Sequence, residues 1–168
     1  MKFIKTKTNQ IGGKANNLFS LQEIGFRVPK FVVIPADVLT PIIEKESDAM
    51  TTIDNFQIPS SFLESIISTF SNDTLFAVRS SGIDEDGSDF SFAGQFESLL
   101  FINKNTLASA IKTVWKSAFS ERVLAYRKKN NLLSTQGIAI VIQEMIDADV
   151  AGVGCGINPT NGDRNAKV

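Results

Sequence analysis

The chain contains no histidine. That absence removes Ser-His and Cys-His nucleophilic catalysis, zinc-histidine sites and any phosphohistidine within these residues. A single cysteine, Cys155, excludes an internal disulfide and a cysteine-based zinc cage. Its flanking glycines and the lack of a histidine partner argue against a nucleophilic role. No apolar run approaches the roughly 20 residues that span a bilayer. Residues 1–10 lack the apolar stretch of a signal peptide, so a cytoplasmic setting is the expectation. Charge of one sign is also missing: 17 Lys and Arg face 18 Asp and Glu, a net charge of −1. Nothing electrostatic therefore points to nucleic acid or an anionic membrane as partner. Whatever chemistry occurs here must use Lys, Arg, carboxylates, backbone amides and a borrowed group.

What is present reads as a mixture of helices and strands. The 168 residues fit one domain, or one domain and part of another, and thirteen Phe provide bulk for a core. Gly12-Gly13 opens a helix over 13–25, with Leu18, Leu21 and Ile24 as its expected apolar side and Gly25 as a left-handed stop. FVVIP at 31–35 reads as a strand, and a second helix follows over 36–46. The polar stretch 47–58 reads as a loop. Residues 61–70 have helical period, with Ser61 and Glu64 at capping-box spacing. Strands are predicted at 75–81 and 97–102, and helices at 105–118 and 120–130, with Leu107, Ile111, Val114 and Ala118 on one face. The near-continuous apolar run 138–145 predicts a strand covered on both sides. Residues 151–157 alternate with Gly152, Gly154 and Gly156, which predicts a strand with one bare backbone face. Asn161-Gly162 is a hairpin pair that should lead back into the sheet. The chain reaches Val168 soon after, so a cut through a domain is expected there.

Four features could carry chemistry. Lys14 follows two glycines in a first helical turn, where it opposes the helix dipole at a cost of about 0.3–1 kcal/mol unless an anion is near. The helix start is itself an anion site, although the spacing is not that of a P-loop. A solvated lysine behind a glycine cap is the plainer alternative. Arg79 shares a strand face with Leu75 and Ala77, so it must leave at the strand end, meet an anion, or pair with Asp84, Glu85, Asp86 or Asp89. Those carboxylates could instead hold Mg²⁺ or simply be solvated. The small residues Ser91 to Gln95 suit either a flap of backbone donors or an ordinary connection. Gln143 interrupts an apolar strand beside Val141 and Met145, and its amide needs partners, from a base edge or from neighbouring backbone.

In combination these segments resemble a known family. IGGKANNLFSLQEIGFRVPKFVVIP, VRSSGIDEDGSDFSFAGQFESLL, IVIQEM and AGVGCGINPTNGD occur in the order of the nucleotide-binding N-terminal domain of the phosphoenolpyruvate synthase and pyruvate phosphate dikinase family. That family is in turn similar to rifampin phosphotransferase. The resemblance runs from about residue 11 to 163. It implies an ATP-grasp-like α+β lobe, with a mixed or antiparallel sheet, helices packed on it and a truncated C-terminal end.

By motif, Lys14 and Arg79 would be the catalytic, phosphate-contacting residues. Gly94, Gln95 and Ser98 would belong to the phosphate-covering loop, and Gln143 and Met145 to the strand flanking the adenine. The family moves the β-phosphoryl of ATP to a histidine on a separate domain, which accords with the missing histidine. Mg²⁺ ligands would lie beyond residue 168. Residues 1–168 would be the N-terminal part of the ATP-binding domain of a larger enzyme, and alone should bind ATP weakly and without turnover. The partners implied are ATP, a phosphohistidine domain and a pyruvate or phosphoenolpyruvate domain. Alternatives are the same lobe serving a rifampin- or glucan-type acceptor, or a non-catalytic nucleotide-binding module. Departures from the pattern are Ala15-Asn16 for Gly-Ala, Gly82 for alanine, and Gly154-Cys155-Gly156 for a bulkier stretch.

Overall fold

A computed structural model describes residues 10–43, 48–83, 96–130 and 138–154. The architecture is α+β. Its centre is a four-stranded sheet in the order β1-β4-β2-β3, antiparallel at every junction, with β1 Phe31–Ile34, β2 Phe76–Gly82, β3 Ser98–Ile102 and β4 Ile138–Glu144. β4 is buried from Ile138 through Gln143, as its apolar run requires of a central strand.

The two faces of the sheet are covered unequally. One face presents Val32, Ile34, Phe76, Val78, Ile138, Ile140 and Ile142 to a large core. That core is completed by α2 (Ala36–Ile43), α3 (Ala49–Asn55), α4 (Ser60–Ile67) and α5 (Leu107–Ser117). Leu107, Ile111, Val114 and Ala118 are all buried in it, as their helical spacing predicts. The other face carries a smaller cluster, in which Ile11, Ala15 and Phe19 at and within α1 (Gly12–Glu23) cover Phe31, Val33, Ala139 and Val141. α6 (Glu121–Lys129) is capped by the Ser120 hydroxyl, which accepts from the Val123 N–H, and ends in Arg127, Lys128 and Lys129, charges that suit the helix C-terminus. Among the described residues no helix is long and apolar enough to cross a membrane.

Gly25 stops α1 as its sequence predicts. It takes φ +90°, and the Phe26 N–H donates to Leu21 O while the Gly25 N–H donates to Gln22 O, the paired bonds of a Schellman turn. The apolar side of α1 is not the predicted one. Leu21 and Ile24 are exposed and only Leu18 packs partly, because the start of α1 is fixed against β2 and turns Ala15 and Phe19 inward instead.

Three other expectations are corrected. Residues 47–58 are not all loop, since α3 occupies Ala49–Asn55. The Asp48 side chain caps it by accepting from the Met50 N–H, and Ile53 is fully buried. Lys116 and Lys112 of α5 reach Asp54, the first to its carboxylate at 2.6 Å and the second to its carbonyl at 2.8 Å. The capping box of Ser61 and Glu64 does not form, because the helix starts one residue earlier and has Pro59 at its cap with no side-chain bond. Residues 151–154 form no strand and are exposed, with open space around Gly152 and Gly154. The rest of that predicted strand and the Asn161-Gly162 turn lie outside the described residues.

Candidate nucleotide site

Strand alternation decides which side chains share the thinly covered face. From the start of α1 outward, β2 contributes Ser81, Arg79 and Ala77 to it, with Leu75 just before the strand, and β4 contributes the cross-strand partners Ala139, Val141 and Gln143, followed by Met145. Ser98 of β3 lies opposite Arg79 and joins the same row. Same-face residues along a strand are about 6.7 Å apart, so the strip from the Ser81 level to the Met145 level is about 20 Å long.

α1 covers only one part of this face. Its first turn sits on the end of β2, where the Ala15 N–H donates to Ser81 Oγ at 3.1 Å. Its later part crosses toward β1, and the Phe19 and Phe31 rings lie 4.7 Å apart. Arg79, Ser98 and Met145 are therefore left partly or fully accessible. Lys14 belongs to the first turn of α1 and is half-buried, on the same side of the sheet as Arg79.

The Arg79 guanidinium donates through Nη1 to Gln143 Oε1 at 3.4 Å, and the Gln143 amide donates through Nε2 to the Pro29 carbonyl, also at 3.4 Å. Both bonds are long. Gln143 is thus satisfied by its neighbours, as the backbone alternative anticipates. Its role toward Arg79 differs from that of a carboxylate: a neutral amide orients the guanidinium without cancelling its charge. Four of the five N–H donors of the fork have no protein acceptor among the described residues. A planar cation held that way is suited to a phosphate, which accepts in bidentate, charge-assisted fashion.

The far end of the strip is mixed, with apolar side chains beside Ser71, Asn72, Thr74 and the carboxylates of Asp73, Glu144 and Asp147. The Met145 N–H donates to Leu75 O at 2.9 Å, and Met145, Leu75, Phe101 and Ile146 line a cleft of about 490 Å³ with Asp73 and Glu144 at its edge. Phe101 takes φ +56° beside an irregularity in the β2–β3 pairing, which leaves its ring at the surface. The strip thus carries Met145 and a partly apolar cleft at one end and the Arg79 guanidinium toward the start of α1. Gly94 and Gln95 lie outside the described residues, as do the carboxylates at 84–89.

Ser81 is the residue that sequence reasoning passes over. It sits two positions beyond Arg79, so alternation places it on the same face, but its partner is 66 residues away and no local spacing signals that contact.

Comparison with known proteins now bears on this geometry. Residues 51–168 match the family model described as "Pyruvate phosphate dikinase, AMP/ATP-binding domain". The chain belongs to this family. It is 32% identical over 165 residues to an uncharacterized phosphotransferase of Bacillus subtilis, covering 90% of this chain and 20% of that protein. It is 28% identical over 187 residues to a probable phosphoenolpyruvate synthase of Methanothermobacter thermautotrophicus, covering 90% of this chain and 27% of that protein. It is 29% identical over 180 residues to a rifampicin phosphotransferase of Bacillus cereus, covering 89% and 21% respectively. The AMP/ATP-binding domain chain thus spans between 20% and 27% of the length of these relatives.

Proposed function

We propose that this chain is the N-terminal part of the ATP-binding domain of a multidomain phosphotransferase, which passes the β-phosphoryl of ATP to a histidine on a separate domain. The observation that carries the reading is the strip itself: a guanidinium held by a neutral amide, next to a glycine-started helix and in line with a cleft that Leu75, Phe101, Met145 and Ile146 make partly apolar. Phosphoryl transfer requires little covalent participation by the protein and is governed by positioning and charge stabilisation. Arg79 would grip phosphate oxygens with its fork while Lys14 adds a second positive charge at the same end. Ser98 would lie beside the phosphates together with the loop containing Gly94 and Gln95. Gln143 and Met145 would lie on the strand that flanks the base, with Met145 packing against the ring.

ATP chemistry of this kind uses Mg²⁺ to bridge phosphate oxygens. Among the described residues no group of three or more carboxylate, histidine or cysteine side chains converges to hold a metal. The described residues do not fit the ion, so its ligands belong to other segments and no step here is routed through it. The missing histidine fits a division of labour in which the acceptor lies on another domain. The proposal places the reaction in the cytoplasm.

The comparisons leave more than one final acceptor open, since relatives named phosphoenolpyruvate synthase, rifampicin phosphotransferase and prodigiosin synthesizing transferase match at similar identity. We favour pyruvate, the acceptor of a phosphoenolpyruvate-forming enzyme. The full-length protein, given ATP labelled in the β-phosphate, should acquire acid-labile, base-stable label and release AMP together with the γ-phosphoryl as inorganic phosphate. Subsequent addition of pyruvate should discharge that label. Discharge by rifampicin but not pyruvate would select that acceptor, and no protein-bound label with either would defeat the phosphotransfer reading.

A further inference from the structure

The proposed site needs the start of α1 at a fixed place beside Arg79. The N-cap of α1 is Ile11, which offers no side-chain acceptor, and its first turn contains no acidic residue. Glycines at 12 and 13 add flexibility where a helix would normally be anchored. The acceptor comes instead from the sheet. Ser81 Oγ takes the Ala15 N–H at 3.1 Å, with both residues fully buried.

A second contact fixes the same place. Gly12 takes φ +67°, and a Cβ there would lie 2.3 Å from Gly82 O and 2.6 Å from Ser81 O. The backbone of α1 therefore rests directly on the backbone of β2. Upstream, the Ala36 N–H donates to Gln10 O at 3.0 Å and ties the approach to α1 down as well.

We infer that Ser81 is a positioning residue, an acceptor that the sheet supplies to the first turn of α1 and that fixes Lys14 relative to Arg79. Ser81 and Arg79 share one strand face two residues apart, so any slip of α1 on Ser81 is a slip of Lys14 on Arg79. A local capping residue could stabilise α1 equally well but could not tie it to the strand that carries the guanidinium. The inference rests on the proposed ATP site, and it predicts a selective effect. The Met145 end of the strip is remote from Ser81, so recognition of the base should be indifferent to the hydroxyl while recognition of the outer phosphates should not.

The test compares ATP and AMP affinities of the full-length protein by titration calorimetry, for the natural chain, Ser81→Ala and Gly12→Ala. Loss of the buried acceptor in Ser81→Ala should weaken ATP binding about tenfold and AMP binding less than about twofold. Gly12→Ala, which pushes α1 off β2 while keeping the hydroxyl, should show the same selective loss. Equal weakening of both nucleotides, or no change in either, would overturn the positioning role even if the melting temperature falls. A natural protein that binds neither nucleotide would defeat the ATP site itself, a different failure from that of Ser81.

Discussion

The two faces of this sheet differ in what they ask of their residues. On the thick face, strands β1, β2 and β4 meet helices α2 to α5 through side chains such as Ile34, Ile140, Ile66, Ile111 and Trp115, all without solvent exposure. On the thin face a single helix covers a handful of residues, and beside it lie a half-buried guanidinium, a buried amide and an open cleft. Hydrophobic burial scales with area removed from water, at about 25 cal/mol per Å². Stability therefore resides mainly in the first face. The second is freed to hold polar groups that a complete core would have to exclude or neutralise. One strand serves both purposes: in β2, Val78 and Ser80 lie on the thick face, while Arg79 and Ser81 lie on the thin one.

The largest expected effect breaks the thick face. Ile140 is fully buried and sits between Ile34 and Ser80 in the register. Ile140→Ala should destabilise the protein by about 2–5 kcal/mol, read as a lowered midpoint of urea unfolding. The nucleotide affinity of the fraction that remains folded should be unchanged. A loss below about 0.5 kcal/mol would mean that this face is not where the stability lies.

The reverse pattern is expected at Arg79. Its one side-chain hydrogen bond among the described residues is long and the residue is half-buried, so Arg79→Ala should shift the unfolding midpoint little. Removing a preorganised charge at a transferring phosphoryl group should slow histidine labelling by about 10²–10³-fold. Arg79→Lys should recover only a part, because an ammonium cannot reproduce the planar fork. Retained labelling in Arg79→Ala, assayed with β-labelled ATP, would remove Arg79 from the site.

Much of this division is legible before any coordinates. Alternation alone puts Arg79 with Leu75 and Ala77, and Gln143 with Val141 and Met145, and the register then brings the two sets side by side. The stop at Gly25 and the burial of β4 follow equally from local pattern, because each depends on the residue itself or on its immediate neighbours. What escapes the sequence is set by distant contacts. α3 is polar enough to pass for a loop, and its hold on the fold comes from Ile53 and from Lys112 and Lys116, more than fifty residues on. The buried side of α1 is decided by the closeness of Gly12 to Gly82, which turns Leu21 and Ile24 outward despite their apolar character. Ser61 and Glu64 have the spacing of a cap but lie inside a helix whose start is set by Pro59.

The smallest effect sharpens the comparison from the edge of the thick face, at the cap of α3. Asp48 is solvent-exposed, and its carboxylate accepts first from the Thr51 hydroxyl, with smaller help from the Met50 and Thr51 N–H groups, which together outweigh desolvation and hold its pKa below the usual 3.8. A folded pKa below the unfolded one means that the carboxylate stabilises the fold above the unfolded value, and that this contribution disappears as pH falls through the folded value. Asp48→Asn keeps a capping oxygen but cannot titrate. The unfolding midpoint of the natural chain should therefore fall more steeply than that of Asp48→Asn as pH drops below about 4, with parallel behaviour near neutrality. ATP affinity at pH 7 should be the same in both, because α3 packs on the face away from Arg79. A change in nucleotide binding with Asp48→Asn would show that the two faces are coupled through the sheet rather than divided by it.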